Sequence, residues 1–284
     1  MLGGSSMNKI SLVIATLGRT KEVEAFIDSL KNQDYKNYEL IIIDQNEHYL
    51  LEQIYIKYKD EICIKYIRSS KRGLSLNRNI GLKYVTGNIV AFPDDDCEYS
   101  PNTLRKVNNY FIKESKEIYS CKVIDKYTKV KFGKSHEYNQ PIRYNNVMNN
   151  CVSISVFIKF KKIEDIKFDE KLGVGTYFAS GEESDLILNL LNIGYKGEYF
   201  ANDVVFHPQR NNEDLSIERN NRDSLGLGAL MKKEIYYRKN YKMVPFFISR
   251  LLRPMIGCIV YPKKIGYYFN SIKYRIKGYK EYRL

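Results

Sequence analysis

The chain has 284 residues, of which 44% are hydrophobic, so it is long enough for one large core and an appendage but short for two full domains. Its 46 Lys and Arg residues outnumber its 33 Asp and Glu residues, and the net charge of +13 favours a polyanionic partner such as a nucleic acid, an anionic lipid surface or a nucleotide diphosphate. The five cysteines are scattered and form no CxxC pair, which argues against a zinc or redox site of that kind and favours a reducing compartment.

The first hundred residues alternate short apolar runs with helical patterns. Residues 1–6 precede Met7 and are expected to lie ahead of the native start, and this beginning does not resemble a secretory signal. Strands are predicted over residues 10–15, 38–43, 62–67 and 89–92, and helices over residues 21–32 and 74–84. This alternation predicts an α/β fold with a mainly parallel central sheet, whose ligands gather at the carboxyl ends of the strands.

Polar residues stand at the predicted strand ends, namely Thr16, Asp44 and the run Asp94 to Asp96. Three adjacent carboxylates repel one another unless a cation neutralises them, and hard oxygen ligands favour Mg²⁺ or Mn²⁺. The alternative is a solvated acidic turn that leads into a helix after Pro101. The residues by themselves leave both interpretations open.

The middle of the chain is harder to interpret. A helical spacing follows Pro101, and residues 118–160 are expected to form extended segments and loops. Residues 168–181 are rich in Gly and aromatic side chains, as a mobile loop would be. A helix is then predicted from about residue 182 to 193, with Gly194 placed to end it.

Three acids begin that helix, in the sequence Ser180-Gly181-Glu182-Glu183-Ser184-Asp185. Ser180 and Glu183 have the spacing of a capping box, which would make the acids structural. The functional alternative is that one acid serves as a general base for an acceptor hydroxyl. The two interpretations compete for Glu183.

His207 follows an apolar β-rich run and precedes Pro208. An isolated histidine at a strand end is more often structural than a ligand. Its assignment to a site therefore depends on its surroundings.

The region from Tyr236 onward is basic and interrupted by apolar residues. Residues 244–262 are apolar but contain Arg250, Arg253 and Pro254, so they predict a helix or helix pair lying in a membrane interface rather than a bilayer span. Seven Lys and Arg residues then interleave with tyrosines, as anionic headgroups would favour. The alternative is a solvated basic helix that packs on the rest of the protein.

Residues 10–208 resemble the family 2 glycosyltransferases with the GT-A fold. The resemblance rests on the order of several motifs: Ser11-Leu12-Val13-Ile14-Ala15-Thr16, Ile41-Ile42-Ile43-Asp44, Arg72-Gly73-Leu74-Ser75 with Arg78-Asn79, Asp94-Asp95-Asp96, Gly181-Glu182-Glu183 and Val205-Phe206-His207-Pro208. It implies a Rossmann-like sheet with helices on both faces and a helical, basic C-terminal extension.

The resemblance also implies roles for single residues. Thr16 and Asp44 resemble the pocket for the nucleotide base, and Arg19, Arg78 and Asp95 join the residues expected to bind the donor. Asp94 and Asp96 resemble the outer acids of the DXD motif: Asp96 is expected to reach the metal, Mn²⁺ or Mg²⁺, and Asp94 to face the ribose or sugar and also to approach the ion.

Three further residues are carried over by position. Glu183 resembles the catalytic base of the family, with Glu182 as the other candidate. His207 resembles a late histidine that joins the metal or phosphate shell. Asn77 stands where a small residue is usual, so the packing of its helix is open.

The expected activity is the inverting transfer of a sugar from a nucleotide diphosphate, UDP by resemblance, to a glycan or lipid-linked acceptor in capsule, O-antigen or lipopolysaccharide assembly. Residues 7–210 would form the catalytic domain, with a nucleotide-binding half over 7–100 and an acceptor half over 101–210. Residues 211–284 would associate with an anionic membrane surface, which places the enzyme on the cytoplasmic, inner face of the cell membrane.

Three other functions compete with this one. A nucleic-acid-binding protein would explain the charge and the tyrosines, but not the acids at the strand ends, so no nucleic-acid partner is expected. A catalytically silent GT-A-like membrane adaptor is the second. A nucleotidyltransferase ranks third, because Thr16-Leu17-Gly18-Arg19 is not a Gly-rich basic phosphate loop.

Overall fold

The structure is a computed structural model that describes residues 7–209 and 217–284. These residues group into two compact units. The first comprises the described parts of Met1–Arg72, Leu76–Lys167 and Ile193–Gln209, and the second comprises those of Gly73–Ser75, Phe168–Asn192 and Arg210–Leu284.

The first unit is built around a sheet of nine described strands. They are β1 (Ile10–Thr16), β2 (Tyr38–Asp44), β3 (Ile64–Arg68), β4 (Ile89–Ala91), β5 (Glu98–Tyr99), β6 (Ile118–Ile124), β7 (Gln140–Pro141), β8 (Val156–Lys159) and β9 (Gly197–Phe206). Their order is β3-β2-β1-β4-β8-β6-β9-β5, and β7 pairs with β9. The predicted strands near residues 10, 38, 62 and 89 are all present, which confirms the α/β fold class.

Strands β3, β2, β1 and β4 pair in parallel, so their carboxyl ends lie at one edge of the sheet. The register places Thr16 opposite Asp44, each the last residue of its strand. Beyond β4 the pairing is mixed, since β8 runs antiparallel to both β4 and β6, and β6 is parallel to β9. The parallel half thus presents its strand ends side by side.

Helices of the first unit are α1 (Lys21–Lys31), α2 (Glu52–Tyr58), α3 (Leu74–Leu82), α4 (Thr103–Lys113) and α5 (Val147–Asn150), with 3₁₀ turns at Ser153–Ser155 and Ile163–Asp165. The first two residues of α3 group with the second unit. Helix α1 buries Val23, Phe26, Ile27 and Leu30, a helical spacing of apolar positions, in the same core cluster as β1 and β2. Helix α2 has no counterpart among the sequence predictions.

The second unit is helical. It contains α6 (Glu182–Asn192), α7 (Ile217–Lys232), a π-helical turn (Lys233–Tyr237), a 3₁₀ turn (Tyr241–Met243), α8 (Val244–Val260), a 3₁₀ turn (Pro262–Lys264) and α9 (Ile265–Glu281). Helix α6 confirms the predicted helix over 182–193, and Gly194 follows it with φ +94°, the left-handed conformation that ends helices.

Glycines bring α7 and α9 into backbone contact. A Cβ built on Gly278 of α9 would lie 2.0 Å from the carbonyl oxygen of Leu225, and one built on Gly228 of α7 would lie 2.1 Å from the carbonyl oxygen of Arg275. No side chain fits at either distance. The two helices are therefore packed as closely as their backbones allow.

Replacing Gly278 by Ala should force α7 and α9 apart. Since the obstacle is backbone rather than a flexible side chain, we expect a loss of about 2 kcal/mol in the free energy of unfolding, or roughly 5 °C in Tm, measured by thermal denaturation. Gly266 is the matched control, because it lies in the same helix and a Cβ there meets nothing within 4 Å. Gly266→Ala should be neutral or stabilising, and equal losses in both variants would contradict this account of the packing.

Within the described ranges, one helical stretch, Tyr241–Val260, is long and apolar enough to cross a membrane by length and composition alone. Its most apolar window has a mean hydropathy of 1.6, and only 17% of that window is buried within the protein. Its apolar side chains thus largely face outward instead of forming a core.

Candidate active site

The parallel edge of the sheet carries the first part of the site. Thr16 and Asp44 are both buried, at neighbouring strand ends. The Asp44 carboxylate accepts hydrogen bonds from the backbone N–H of Asn46 at 2.9 Å, from its side-chain amide at 2.6 Å and from the Tyr66 hydroxyl at 2.6 Å. These donors fix the carboxylate in one orientation at the sheet edge.

The side chains of the acidic run at residues 94–96, after β4, have two different sets of partners. Asp95 accepts a hydrogen bond from the Thr16 hydroxyl at 2.5 Å and one from Arg19 Nη1 at 2.9 Å. Burial raises the pKa of Asp95 above its usual value. Its side chain thus ties the acidic loop to the end of β1.

The other two acids converge on the histidine. One ligand atom from each of Asp94, Asp96 and His207 lies within 4.8 Å of the others. Nε2 of His207 is 3.3 Å from Oδ1 of Asp96, and Arg19 also pairs with Asp96. Two carboxylates and an imidazole form a donor set suited to Mn²⁺ or Mg²⁺, so the residues present fit a divalent ion.

The electrostatics of this cluster favour an ionised Asp96. Burial by itself would raise its pKa, but the hydrogen bond from His207 and the charge of Arg19 lower the pKa to about 2. Burial would likewise lower the pKa of His207, but Asp96 raises it above the usual value. The carboxylate is therefore available as an anionic ligand at neutral pH.

Arg78 lies beneath the acids rather than on an exposed helix face. It is 1% exposed, its Nη2 donates to Oδ1 of Asp94 at 3.0 Å, and its guanidinium lies 6.0 Å from the centre of the Phe92 ring. Arg78 is therefore not an ordinary exposed helix arginine. Arg78 brings a positive charge to the innermost side of the cluster.

The open question about Asn77 is settled by its hydrogen bonds. Its side-chain amide donates to Oε1 of Gln45 and to the carbonyl oxygen of Lys71, both at 2.9 Å. Asn77 is buried, and the position accepts a larger polar side chain because these two partners satisfy its amide nitrogen.

In the second unit, α6 begins without the capping box. The carbonyl oxygen of Gly181 accepts the hydrogen bond of the Asp185 N–H at 2.9 Å, which makes Gly181 the N-cap residue. The Ser180 hydroxyl instead donates to the carbonyl oxygen of Asp223 at 3.4 Å. The structural interpretation of Ser180 and Glu183 as a capping box is therefore wrong.

The three acids of α6 have different surroundings. Asp185 is 1% exposed and pairs with Lys233 and Arg238. Glu182 is buried, and a Cβ on Gly173 would lie 3.1 Å from its carboxyl group. Glu183 is half-buried and, among residues 7–209 and 217–284, its carboxylate makes no hydrogen bond or ion pair. Of the three, Glu183 is the carboxylate available to a ligand.

A small open cleft includes Asp96 and His207 of the metal-binding cluster in its lining. It contains residues that the sequence did not single out, because residues 118–160 lack a clear period. Its lining is Asp96, Glu98, Asp125, Lys126, Tyr127, Phe206, His207 and Pro208. Lys126 is held there by an ion pair with Glu98 at 2.7 Å.

The structure thus brings the predicted residues together in two places. In the first unit, Asp94, Asp96 and His207 form one cluster, to which Thr16, Arg19, Asp95 and Arg78 are linked by hydrogen bonds and ion pairs, while Asp44 stands on the adjacent strand end. In the second unit, Glu182 and Glu183 share the first turn of α6. Tyr66, which orients Asp44, and Lys233, which pairs with Asp185, were not predicted, and their sequence surroundings carry no signal for these roles.

Comparisons with known proteins agree on one family. The profile of Glycosyl transferase family 2 matches residues 11–176. The chain is 28% identical, over 98% of its length and 85% of the relative's, to the GalNAc(5)-diNAcBac-PP-undecaprenol beta-1,3-glucosyltransferase of Campylobacter jejuni. It is 26% identical, over 87% of its length and 80% of the relative's, to the poly(ribitol-phosphate) beta-N-acetylglucosaminyltransferase TarP of Staphylococcus aureus.

Solved structures show the same fold at low identity. TarS 1-349 of S. aureus in complex with UDP-GlcNAc has a TM-score of 0.61 at 16% identity, covering 96% of this chain and 89% of that one. The mannosyltransferase PcManGT from Pyrobaculum calidifontis in complex with GDP-Man and Mn²⁺ has a TM-score of 0.64 at 13% identity, covering 95% and 88%.

Proposed function

The chain belongs to Glycosyl transferase family 2, and on that basis we propose that it is a metal-dependent, inverting enzyme that moves a sugar from a UDP-linked donor to a hydroxyl of a glycan or lipid-linked acceptor. The observation that carries the proposal is the convergence of Asp94, Asp96 and His207 beside Arg19 and the end of β1. When a sugar leaves a nucleotide diphosphate, negative charge develops on the diphosphate, and a cation bound by these residues would stabilise that charge.

Asp94, Asp96 and His207 would hold the divalent ion, and such an ion supplies stabilisation of the charge that develops on the leaving diphosphate. Arg19 and Arg78 add fixed positive charge around the same acids. Asp95 holds the acidic loop against Thr16, and Asp44 offers an oriented carboxylate for a ribose or base. These residues bind and orient the donor.

Glu183 is the proposed general base. Its carboxylate has no competing partner among the described residues, so it can accept the proton of an acceptor hydroxyl as that oxygen attacks the anomeric carbon. With one base and a separate metal group, a single displacement suffices, and a single displacement inverts the anomeric configuration.

The relatives support a surface-glycan pathway. The C. jejuni relative is named for a PP-undecaprenol acceptor and TarP for poly(ribitol-phosphate), and TarS has been solved with UDP-GlcNAc. We therefore propose a uridine diphosphate donor and a role in capsule, O-antigen or lipopolysaccharide assembly, with residues 7–210 as the catalytic domain.

A donor screen tests this function. The purified protein with Mn²⁺ is incubated with UDP-, GDP- and dTDP-sugars and a polyprenol-linked acceptor extract, and mass spectrometry measures nucleotide release and the mass added to acceptor. Release from a UDP-sugar with a hexose-sized mass gain is expected. A chain that releases no nucleotide yet retains nucleic acids in a mobility-shift assay would instead be the binding protein considered above.

We also propose that α8 docks on the inner surface of the cell membrane. Its exposed residues Ile248, Leu252, Met255, Ile256 and Ile259 lie at helical spacing on one face, while Pro254 and Gly257 on another face are buried. Gly257 lies against the ring of Tyr268 of α9. A helix packed along another helix on one side and apolar on the opposite side suits the interface of a bilayer, and the exposed Lys263 and Lys264 supply attraction to anionic lipid.

Negative charge introduced by mutation on the apolar face of α8 should weaken binding of the protein to membranes. Because Leu252 and Met255 are half exposed, Leu252→Glu with Met255→Glu should leave Tm unchanged and weaken binding to anionic liposomes at least about tenfold in a sedimentation assay. Ile56→Glu, at an equally exposed position of α2, is the control and should bind as the wild type does. Unchanged binding of the double variant, or retention after an alkaline carbonate wash, would refute interfacial docking.

A further inference from the structure

The end of α9 reaches the loop that leads into α6. Tyr282, just beyond α9, is fully buried and lies in one apolar cluster with Leu172 and Phe178 of that loop. The rings of Phe178 and Tyr282 meet edge to face with their centres 5.5 Å apart. Two polar contacts add to the packing: Lys171 Nζ donates to the carbonyl oxygen of Arg283 at 2.8 Å, and the Tyr177 hydroxyl to Glu281 at 2.7 Å.

A buried charge cluster joins the two ends of the same segment. Lys233 Nζ lies 2.6 Å from Oδ2 of Asp169, at the start of the loop, and 2.8 Å from Oδ2 of Asp185, in the first turn of α6. The Tyr282 hydroxyl donates to the same oxygen of Asp169, and Arg238 Nη1 lies 2.8 Å from Oδ1 of Asp185. One ammonium group therefore ties Asp169 to Asp185 across the intervening loop.

The segment between these anchors has unusual backbone freedom. Gly173, Gly175 and Gly181 all adopt positive φ, at +97°, +88° and +90°. Glycine loses more conformational freedom on ordering than any other residue, so such a loop needs external contacts to hold one conformation. Glu182 and Glu183 lie inside the segment, and one residue, Ser184, separates Glu183 from Asp185.

We propose that Tyr282 is a positioning residue for the acceptor-side reaction, which it serves by holding Asp169 and thereby the loop and the first turn of α6 that carries Glu183. The inference rests on the proposed function for the role of Glu183. Tyr282 does not touch the base. It acts through Asp169 and Lys233 and through its packing on Leu172 and Phe178.

Tyr282→Phe tests the hydroxyl, since the ring and its packing are kept. We expect kcat for sugar transfer to fall about tenfold with the donor KM within about twofold, because one hydrogen bond to a charged group is lost and the donor site is untouched. Tyr195→Phe is the matched control: its hydroxyl also donates to a carboxylate, that of Asp165 at 2.7 Å, which is not a member of this cluster, and the variant should keep wild-type kcat. An unchanged kcat for Tyr282→Phe, or an equal fall for Tyr195→Phe, overturns the proposal.

A second variant separates positioning from general loosening. Combined with Glu183→Gln, Tyr282→Phe should cost nothing further in kcat, because a residue that acts through the base has no effect once the base is gone. Multiplicative losses in the double variant overturn the proposal.

Hydrogen exchange tests whether Tyr282 holds this segment in place, and it does not depend on sugar transfer. Amides of residues 170–184 should exchange about tenfold faster in Tyr282→Phe than in the wild type, while those of β1 and β2 should not change. Unchanged exchange would overturn the positioning role of Tyr282 even if sugar transfer is observed. Faster exchange in a protein that transfers no sugar from any donor would support the contact of Tyr282 with this segment and refute the proposed function. The two failures are therefore distinguishable.

Discussion

Asp96→Asn should lower kcat/KM for sugar transfer by at least about a hundredfold and abolish Mn²⁺ binding in isothermal titration calorimetry. Asp96 lies against both His207 and Arg19, and its pKa of about 2 keeps it anionic in the neutral range. The amide has a similar shape but no charge, so the variant removes an anionic ligand without leaving a cavity. Chelation of divalent ions from the wild type should produce a loss of the same order.

Asp95→Asn is the control within the same acidic run. Its side chain is turned toward Thr16 and Arg19, with Oδ2 accepting from the Thr16 hydroxyl and Oδ1 from Arg19. In an asparagine the oxygen can still accept from Arg19, while the amide NH2 can donate to the Thr16 hydroxyl oxygen. We expect Mn²⁺ binding to persist and kcat/KM to fall by no more than about tenfold. Similar mild losses at Asp95 and Asp96 would remove the metal assignment.

Glu183→Gln should leave UDP-sugar binding intact and reduce kcat by about 100 to 10,000-fold, as the loss of a general base does. Glutamine fills the same volume and the helix start is capped by Gly181, so no change in Tm is expected. Single-turnover measurement of transfer, with donor affinity measured separately by calorimetry, separates the chemical step from binding.

Glu182→Gln serves as the comparison for the base. Glu182 is buried, with its carboxyl group close to where a side chain at Gly173 would stand, so its replacement should act on stability as well as on rate. A lower Tm with a smaller fall in kcat is expected. If Glu182→Gln removed the larger share of kcat at unchanged Tm, the assignment of the base would move to Glu182.

Most of the parallel half of the fold could be predicted from the sequence because β1, β2 and β4 lie in apolar, buried runs. Those runs end in Thr16, Asp44 and the acidic loop, and the register then places the first two side by side. The mixed half could not be predicted, because the short strands β5 and β7 pair with β9, far away in sequence, and have no period of their own.

The same difference explains the site. Asp94, Asp96 and His207 carry their chemistry in their side chains, so order and spacing suggested them. The burial of Arg78 could not be predicted, since nothing in the sequence around a helical arginine indicates that it will be buried against Asp94. The contact of Tyr282 with Asp169 joins residues more than a hundred positions apart in the sequence, and no local sequence pattern indicates it.

The register of β1 on β2 limits how this chain can change in length during evolution. A single residue inserted between Ile10 and Thr16 would turn every later side chain of β1 to the opposite face of the sheet, and would carry Thr16 away from Asp95. The turn at residues 47–50, between β2 and α2, is exposed and has no such constraint. Length variation among homologous sequences should therefore be frequent in that turn and absent within β1 and β2, and an alignment that places gaps inside these strands should be treated as misregistered.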